Sequence, residues 1–477
     1  MTPSIEVFHD EQANFESAIV SDSLIAHSRK LSLSSNAIAR SSAREALSTA
    51  IGKSNFAKTL INQALIDHIS EIDHEECEAG DEDSFFVCDM GEVYRSFQTW
   101  KQKLPQVHPY YAVKCNTNLE VIKLLAKLGA NFDCASKNEI DTILGLGISP
   151  DRIVYANPCK TNSFIRHAAK ANVNLTTVDN TQELYKLQKF HPEGGILIRI
   201  ATDDETAQCR LSTKFGCTLD VAINELLPLA HQLGLNVRGV AFHVGSGAKD
   251  FDSIYKAIRD SRVIFDTAIT YGFNMTVLDI GGGFELETFE ESSRMVRSSL
   301  ETFFPTKFTE EHGIKFIAEP GRFMVSNAFT LAAHIIARRD IDQKFAESEN
   351  ENEPVRAMVY INDGVYGNMN CILFDHQHPQ AHVLTHKNKF FYYSDKDVNQ
   401  SKIENDADEK GMHHFSIWGP TCDGLDCVSS KCALSHDVEV GDWLYFPNLG
   451  AYTSAATTSF NGLGGSAHVI YVASEDL

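Results

Sequence analysis

Residues 109–135 read PYYAVKCNTNLEVIKLLAKLGANFDCA, and the period of their apolar positions changes twice. Residues 110–113 form a short aromatic and β-branched run, 119–128 are amphipathic at helical spacing, and 131–135 are strand-like again. The same rhythm continues with strand-like runs at 152–155, 175–178, 196–200, 237–243, 276–280 and 315–318, and with amphipathic stretches such as 253–271 between them. About eight strands with helical crossovers over roughly 240 residues predict a (β/α)8 barrel, the TIM-type α/β architecture, whose chemistry sits at the C-terminal ends of its strands.

On the N-terminal side, 84–89 reads as a strand, and 91–104 has helical spacing that Pro105 stops. Residues 1–50 read as a flexible extension, because Ser-rich and acidic stretches interrupt every apolar pattern. Past about residue 330 the pattern turns to strand-like runs at 355–362, 390–394, 414–418, 443–447 and 467–472. The expected organisation is therefore an extension (1–50), a barrel (90–330) and a β-rich domain built from 51–89 together with 331–477. Residues 395–410, polar and acid-rich, read as an exposed loop.

A formal net charge of −22 disfavours nucleic acid or an anionic membrane as partner and suits a cationic ligand. The longest apolar candidate, 328–337, is broken by Thr330 and His334 and falls short of the roughly 20 residues of a membrane helix. The acidic start argues against a secretory signal. Eleven cysteines without metal-type or compact disulfide spacing read as reduced thiols, so a cytoplasmic location and no metal centre are expected.

Four groups fall at strand ends. Lys114 ends the first barrel strand and His243 the sixth; Asp279-Ile280-Gly281-Gly282-Gly283 closes the seventh and Glu319-Pro320-Gly321-Arg322 the eighth. A lysine in an active-site mouth can form a Schiff base with an aldehyde. Three successive glycines let backbone N–H groups approach an anion, or simply make a tight strand-to-helix turn. Ser246 adds a hydroxyl and Arg322 a forked cation, so that the late loops describe a phosphate site. An aldehyde trap beside a phosphate cradle suggests pyridoxal 5'-phosphate, with Glu319 as the carboxylate that keeps the pyridine nitrogen protonated. His243 is either a ring-stacking partner or a core histidine. Asp133 and Glu139 either orient Lys114 or His243 or cap the following helix.

The stretches Pro109-Tyr110-Tyr111-Ala112-Val113-Lys114-Cys115-Asn116, His243-Val244-Gly245-Ser246-Gly247, Ala318-Glu319-Pro320-Gly321-Arg322, Asn362-Asp363-Gly364-Val365-Tyr366-Gly367, Gly419-Pro420-Thr421-Cys422-Asp423-Gly424-Leu425-Asp426 and Gly450-Ala451-Tyr452 occur in order from about residue 80 onward. With them the chain resembles the eukaryotic, fungal-type ornithine decarboxylases of the alanine-racemase-like fold group. The resemblance implies that Lys114 carries the cofactor, with Asp133, Glu139, Arg199 and His243 around it. It implies further that Ser246, Gly281, Gly282, Gly283, Arg322 and Tyr452 hold the phosphate and that Glu319 meets the pyridine nitrogen. Cys422 would donate a proton, while Asp375, preceded by Phe374, and Asp423 would bind the distal ammonium of L-ornithine. The family's sites are completed by Cys422 and Asp423 of a second subunit, so a homodimer is implied, with Lys214 and Asp426 matching residues that pair across its interface. Control by antizyme and the proteasome is also implied.

Phe374 departs from the animal members, where tyrosine is common. Two rival readings follow from the same resemblance. One is a non-catalytic antizyme-binding relative of the antizyme-inhibitor type. The other is a decarboxylase for lysine, arginine or diaminopimelate, although Asp423-Gly424 differs from the Glu-Ser of diaminopimelate enzymes.

Overall fold

The computed structural model describes residues 54–202, 212–245, 251–341, 355–393, 412–465 and 468–477. The 1–50 extension, the 395–410 loop and Ser246 lie outside the described residues.

Eight parallel strands close into a barrel: β2 (Val107–Ala112), β3 (Asn131–Cys134), β4 (Ile153–Tyr155), β5 (Leu175–Val178), β6 (Gly195–Ile200), β7 (Asn236–Phe242), β8 (Val277–Asp279) and β9 (Lys315–Ala318), with β9 pairing back to β2. β1 (Phe85–Asp89) precedes the barrel. Each crossover helix has a local cause. Helix Leu119–Leu128 starts where Asn118 Oδ1 accepts from the backbone N–H groups of Glu120 and Val121, and it stops at Gly129 in the left-handed conformation. Its Val121, Ile122, Leu124 and Leu125 are buried on one face. Inside the barrel Val154, Ala156, Leu197, Ala241, Val277 and Ile317 form a separate apolar cluster, so the barrel is filled rather than hollow.

The second domain is a curled sheet. Its strands are β10 (Phe329–Asp340), β11 (Ala357–Ile361), β12 (His382–Val383), β15 (His413–Trp418), β16 (Cys427–Leu434), β17 (Trp443–Phe446) and β18 (Val469–Val472), while β13 (Thr385–His386) and β14 (Lys389–Phe390) pair apart. β10 organises it: residues 329–334 pair with β1 and β17, and 335–340, past an irregularity between Ile335 and Ala337, pair with β11. β1, ahead of the barrel in sequence, thus belongs to this sheet and also runs parallel to β18. Helix Asn55–Glu71, capped by Ser54, buries Ala57, Ile61, Leu65 and Ile69. Ile61, Leu65 and Ile69 pack in one apolar cluster with Phe85, Val87 and Trp443.

Two expectations need correction. The strand expected over 390–394 is only the two-residue β14 followed by a turn, with Tyr393 at φ 47°, a conformation that breaks strand pairing. Lys114 does not end its strand: β2 stops at Ala112, and Lys114 sits in a 3-10 turn over Val113–Cys115.

Candidate active site

The turn beyond β2 aims Lys114 at β3, where its Nζ makes an ion pair with Asp133 Oδ2. Asp133 is fully buried, and its other oxygen, Oδ1, has no protein partner. Burial alone would lower the Lys114 pKa, but Asp133 and then Glu319 outweigh it and hold the ammonium above its ordinary value. Glu139 turns away from the lysine: its Oε2 accepts from Ala135 N at 2.6 Å, and its N–H donates to Ser136 Oγ at 3.2 Å. Of the two roles open to each carboxylate, Asp133 orients the lysine and Glu139 caps helix Lys137–Gly145.

Lys114 faces a cavity lined also by Ala112, His243, Gly283, Phe284, Glu285, Glu319, Gly321, Arg322 and Tyr452. The imidazole of His243, just past β7, accepts from Gly245 N through Nδ1 at 3.0 Å. Burial, with help from Arg199 and Lys114, pushes its pKa well below the usual value, so the ring is neutral. The glycine turn after β8 is held by Asp279 Oδ1, which accepts from Gly281 N at 2.9 Å. Gly281 and Gly283 have φ of 66° and 95°, and a Cβ on Gly282 would lie 2.7 Å from His243 Nε2 and 2.8 Å from the Glu319 carbonyl oxygen. Only glycine fits at all three.

Glu319, 7% exposed at the end of β9, is raised well above the carboxylate range by burial, then by the charges of Asp279 and Asp133. Asp279 is itself pushed up to about 7, chiefly by burial. Arg322 opens the short helix Arg322–Val325 and pairs with Asp375, with its Nε 3.7 Å from Glu285 Oε1 and its guanidinium 5.5 Å from the Tyr452 ring. Tyr452 stands at φ 54°, and its N–H donates to Cys115 O at 2.9 Å, which ties the second domain to the turn carrying Lys114. Arg199 does not line the cavity; its guanidinium lies 5.2 Å from the Phe215 ring.

These residues fit pyridoxal phosphate. An amine beside an orphaned carboxylate oxygen lies at one end, a buried carboxyl at β9, and a glycine turn at which any Cβ would collide flanks an arginine and a tyrosine.

Cys422 and Asp423 are not among the residues lining this cavity. They sit between β15 and β16, in a loop organised by buried Asp426, which accepts from Thr421 N and Oγ1 at 3.0 and 2.6 Å and from Val365 N at 2.9 Å. Cys422 is exposed, and its N–H donates to Asn461 Oδ1 at 3.0 Å. Tyr366 OH donates to Asp423, which holds that carboxyl below its ordinary range. Phe374 and Leu425 are each 65% exposed, and Leu373, Phe460 and Leu463 are exposed as well. Lys214 has its Nζ 4.9 Å from the Phe215 ring, while Asp426 is occupied within its own loop.

Sequence reasoning gave no role to Tyr366, Glu285 or Asn461. Tyr366 stood in a recognised motif, Asn362–Gly367, whereas nothing local to Glu285 or Asn461 marks them.

A model of the pyridoxal binding domain of pyridoxal-dependent decarboxylases matches residues 90–326. The ornithine decarboxylase of Candida albicans is 60% identical over 89% of this chain and 91% of its own length. The chain belongs to the ornithine decarboxylase family. The family also contains antizyme inhibitor 2 of Xenopus laevis, 42% identical over 83% of this chain and 82% of its own length. Among solved structures, the agmatine-bound arginine decarboxylase of Paramecium bursaria Chlorella virus superposes with a TM-score of 0.73 at 31% identity, covering 87% of this chain and all of its own. Family membership makes pyridoxal phosphate the cofactor of this chain.

Proposed function

We propose that the chain catalyses the decarboxylation of L-ornithine to putrescine and CO2, the entry step of polyamine biosynthesis, with pyridoxal phosphate held by Lys114, Glu319 and Arg322. The observation that carries this is the single cavity lined by both Lys114 and the buried Glu319. Bound there, pyridoxal phosphate supplies an electron sink for the pair left on Cα when the carboxylate departs as CO2. Asp133 orients the Lys114 amine, Glu319 holds a proton at the pyridine nitrogen, and His243, neutral and held through Nδ1, offers its ring face. Gly281, Gly282, Gly283, Arg322 and Tyr452 take the phosphate, together with Ser246.

Cys422 Sγ delivers the proton that replaces CO2 at Cα. Asp375 and Asp423 pair with the distal ammonium, and Tyr366 positions Asp423. A substrate without that ammonium leaves a carboxylate unpaired, which selects for a diamino acid. Because Cys422 and Asp423 are not among the residues lining the cavity that Lys114 faces, and their loop carries exposed Cys422 and Leu425, the reading includes a homodimer in which each chain completes its partner's site. It also includes a barrel over 90–330 and a β-rich domain over 51–89 and 331–477.

The antizyme-inhibitor reading is less well supported, since Lys114, Glu319, Arg322, Cys422 and Asp423 are all present. Among the described residues no helix is long and apolar enough to cross a membrane; with its reduced thiols this favours the cytoplasm. Antizyme binding and proteasomal turnover complete the proposal, and deleting residues 1–50 while following cellular half-life under excess polyamine tests whether the leader takes part.

The deciding assay is CO2 release by purified, cofactor-loaded protein from a panel of amino acids. L-Ornithine should exceed L-lysine, one methylene longer, by at least about tenfold. Loaded protein that releases no CO2 from ornithine, or that prefers lysine or arginine, would refute the reading.

A further inference from the structure

We propose that His74, Glu82 and His334 form a binding site for a Zn²⁺-class divalent ion, which pins the segment between helix Asn55–Glu71 and β1 onto the sheet of the second domain. The side chains come from two distant parts of the sequence: His74 and Glu82 flank the loop that leads into β1, and His334 lies in β10. One ligand atom from each lies within 4.8 Å of the others. His74 Nδ1 is 2.9 Å and His334 Nδ1 3.7 Å from the same oxygen, Glu82 Oε2. Ligands at about 2.0–2.2 Å from a tetrahedral ion are separated by about 3.3 Å, a value those two distances bracket.

His334 points to a ligand independently of the cluster. It is 6% exposed, its ring stacks on Trp443 with centroids 4.9 Å apart, and neither ring nitrogen makes a hydrogen bond of full geometry. A buried imidazole left with only the Gly441 carbonyl and the 3.7 Å approach of Glu82 Oε2 recovers part of the hydration it loses, a cost that a bound ion would offset. The Gly441 carbonyl also acts on this ring, in the way an outer acceptor supports a metal-bound imidazole.

The backbone carrying two of the ligands is already fixed by one side chain. Asn362 Nδ2 donates to Glu82 O at 2.7 Å, and Asn362 Oδ1 accepts from His334 N at 2.8 Å. Glu82 and His334 are therefore held together with or without an ion. His74, whose side chain is 36% exposed and whose ring stacks 4.9 Å from His334, is the adjustable third ligand, with the fourth position left to water. Two imidazoles, one carboxylate and an open position suit Zn²⁺ or a neighbouring late transition ion, and not Mg²⁺ or Ca²⁺, which take oxygen ligands. The active-site cavity has none of these three residues in its lining, so the ion is structural, holding β1 against β10.

The test is metal uptake by the cofactor-loaded protein after chelation and removal of the chelator. With Zn²⁺ added, the wild type should retain about one ion per chain above the level of His74→Ala and Glu82→Gln, and Co²⁺ should give visible bands of a low-coordinate site that both variants lack. Zn²⁺ should raise the wild-type melting temperature, and the affinity should fall by more than about tenfold in each variant. His74→Ala, altered at the exposed rim, should keep cofactor absorbance and CO2 release, which separates lost metal from lost fold. Equal Zn²⁺ uptake and equal thermal shifts in wild type and both variants, or no uptake by the wild type, would overturn the proposal.

Discussion

Lys114 does not act by itself: Asp133 sets the direction of its amine through one oxygen and leaves the other, buried, without a hydrogen-bond partner. Lys114→Ala should therefore abolish the visible absorbance of the attached cofactor and lower CO2 release by more than about 10²-fold, whereas Glu139→Gln should leave the absorbance intact. The lysine was legible because a recognised motif surrounds it. The division of labour between Asp133 and Glu139 was not, because both lie within seven residues of each other and only the path of the backbone decides which one reaches Lys114. Asp279 offers a pH test. Its carboxyl titrates near 3.8 when unfolded and near 7 when buried, so between those values the folded chain holds a proton that the unfolded chain has released. Stability of the cofactor-free protein should fall as pH rises through that window, and the slope should be smaller in Asp279→Asn, as checked by melts at about pH 5 and about pH 7.

The elements were read most securely where strand and helix alternate. Leu175–Val178 and Lys315–Ala318 stand at the expected residues because each is a short apolar run closed by a turn or a cap. β10 was missed as a strand, since its largely apolar residues 329–335 show no alternation: they are buried on both faces, with β1 and β17 on opposite edges, and β11 pairs with the far end. β16 was missed for the opposite reason, its Ser429, Ser430 and Lys431 leaving too little apolar pattern. Two predictions belong at this scale. Ser136→Ala removes the N-cap of helix Lys137–Gly145 and should cost about 1 kcal/mol in denaturant unfolding. Gly282→Ala drives a Cβ into His243 and the Glu319 carbonyl and should weaken cofactor retention in a dialysis assay while the barrel's circular dichroism persists.

At the scale of the whole molecule, the proposed reaction centre joins Lys114 to Cys422 and Asp423, which are not among the residues lining the cavity that Lys114 faces and whose loop carries the exposed Leu425. That separation could not be read from residue order, since 308 positions of sequence carry no information on which copy of the chain a side chain meets. The account's central claim is that one active site is assembled from two chains. Mixing Lys114→Ala with Cys422→Ala under conditions that exchange subunits tests it directly, because each homodimer is inactive while a heterodimer carries one intact site. Putrescine formation from L-ornithine, which needs both groups, should recover to about a quarter of the wild-type rate, half of the dimers being mixed and each having one of two sites intact. No recovery in dimers shown to have exchanged would contradict the account.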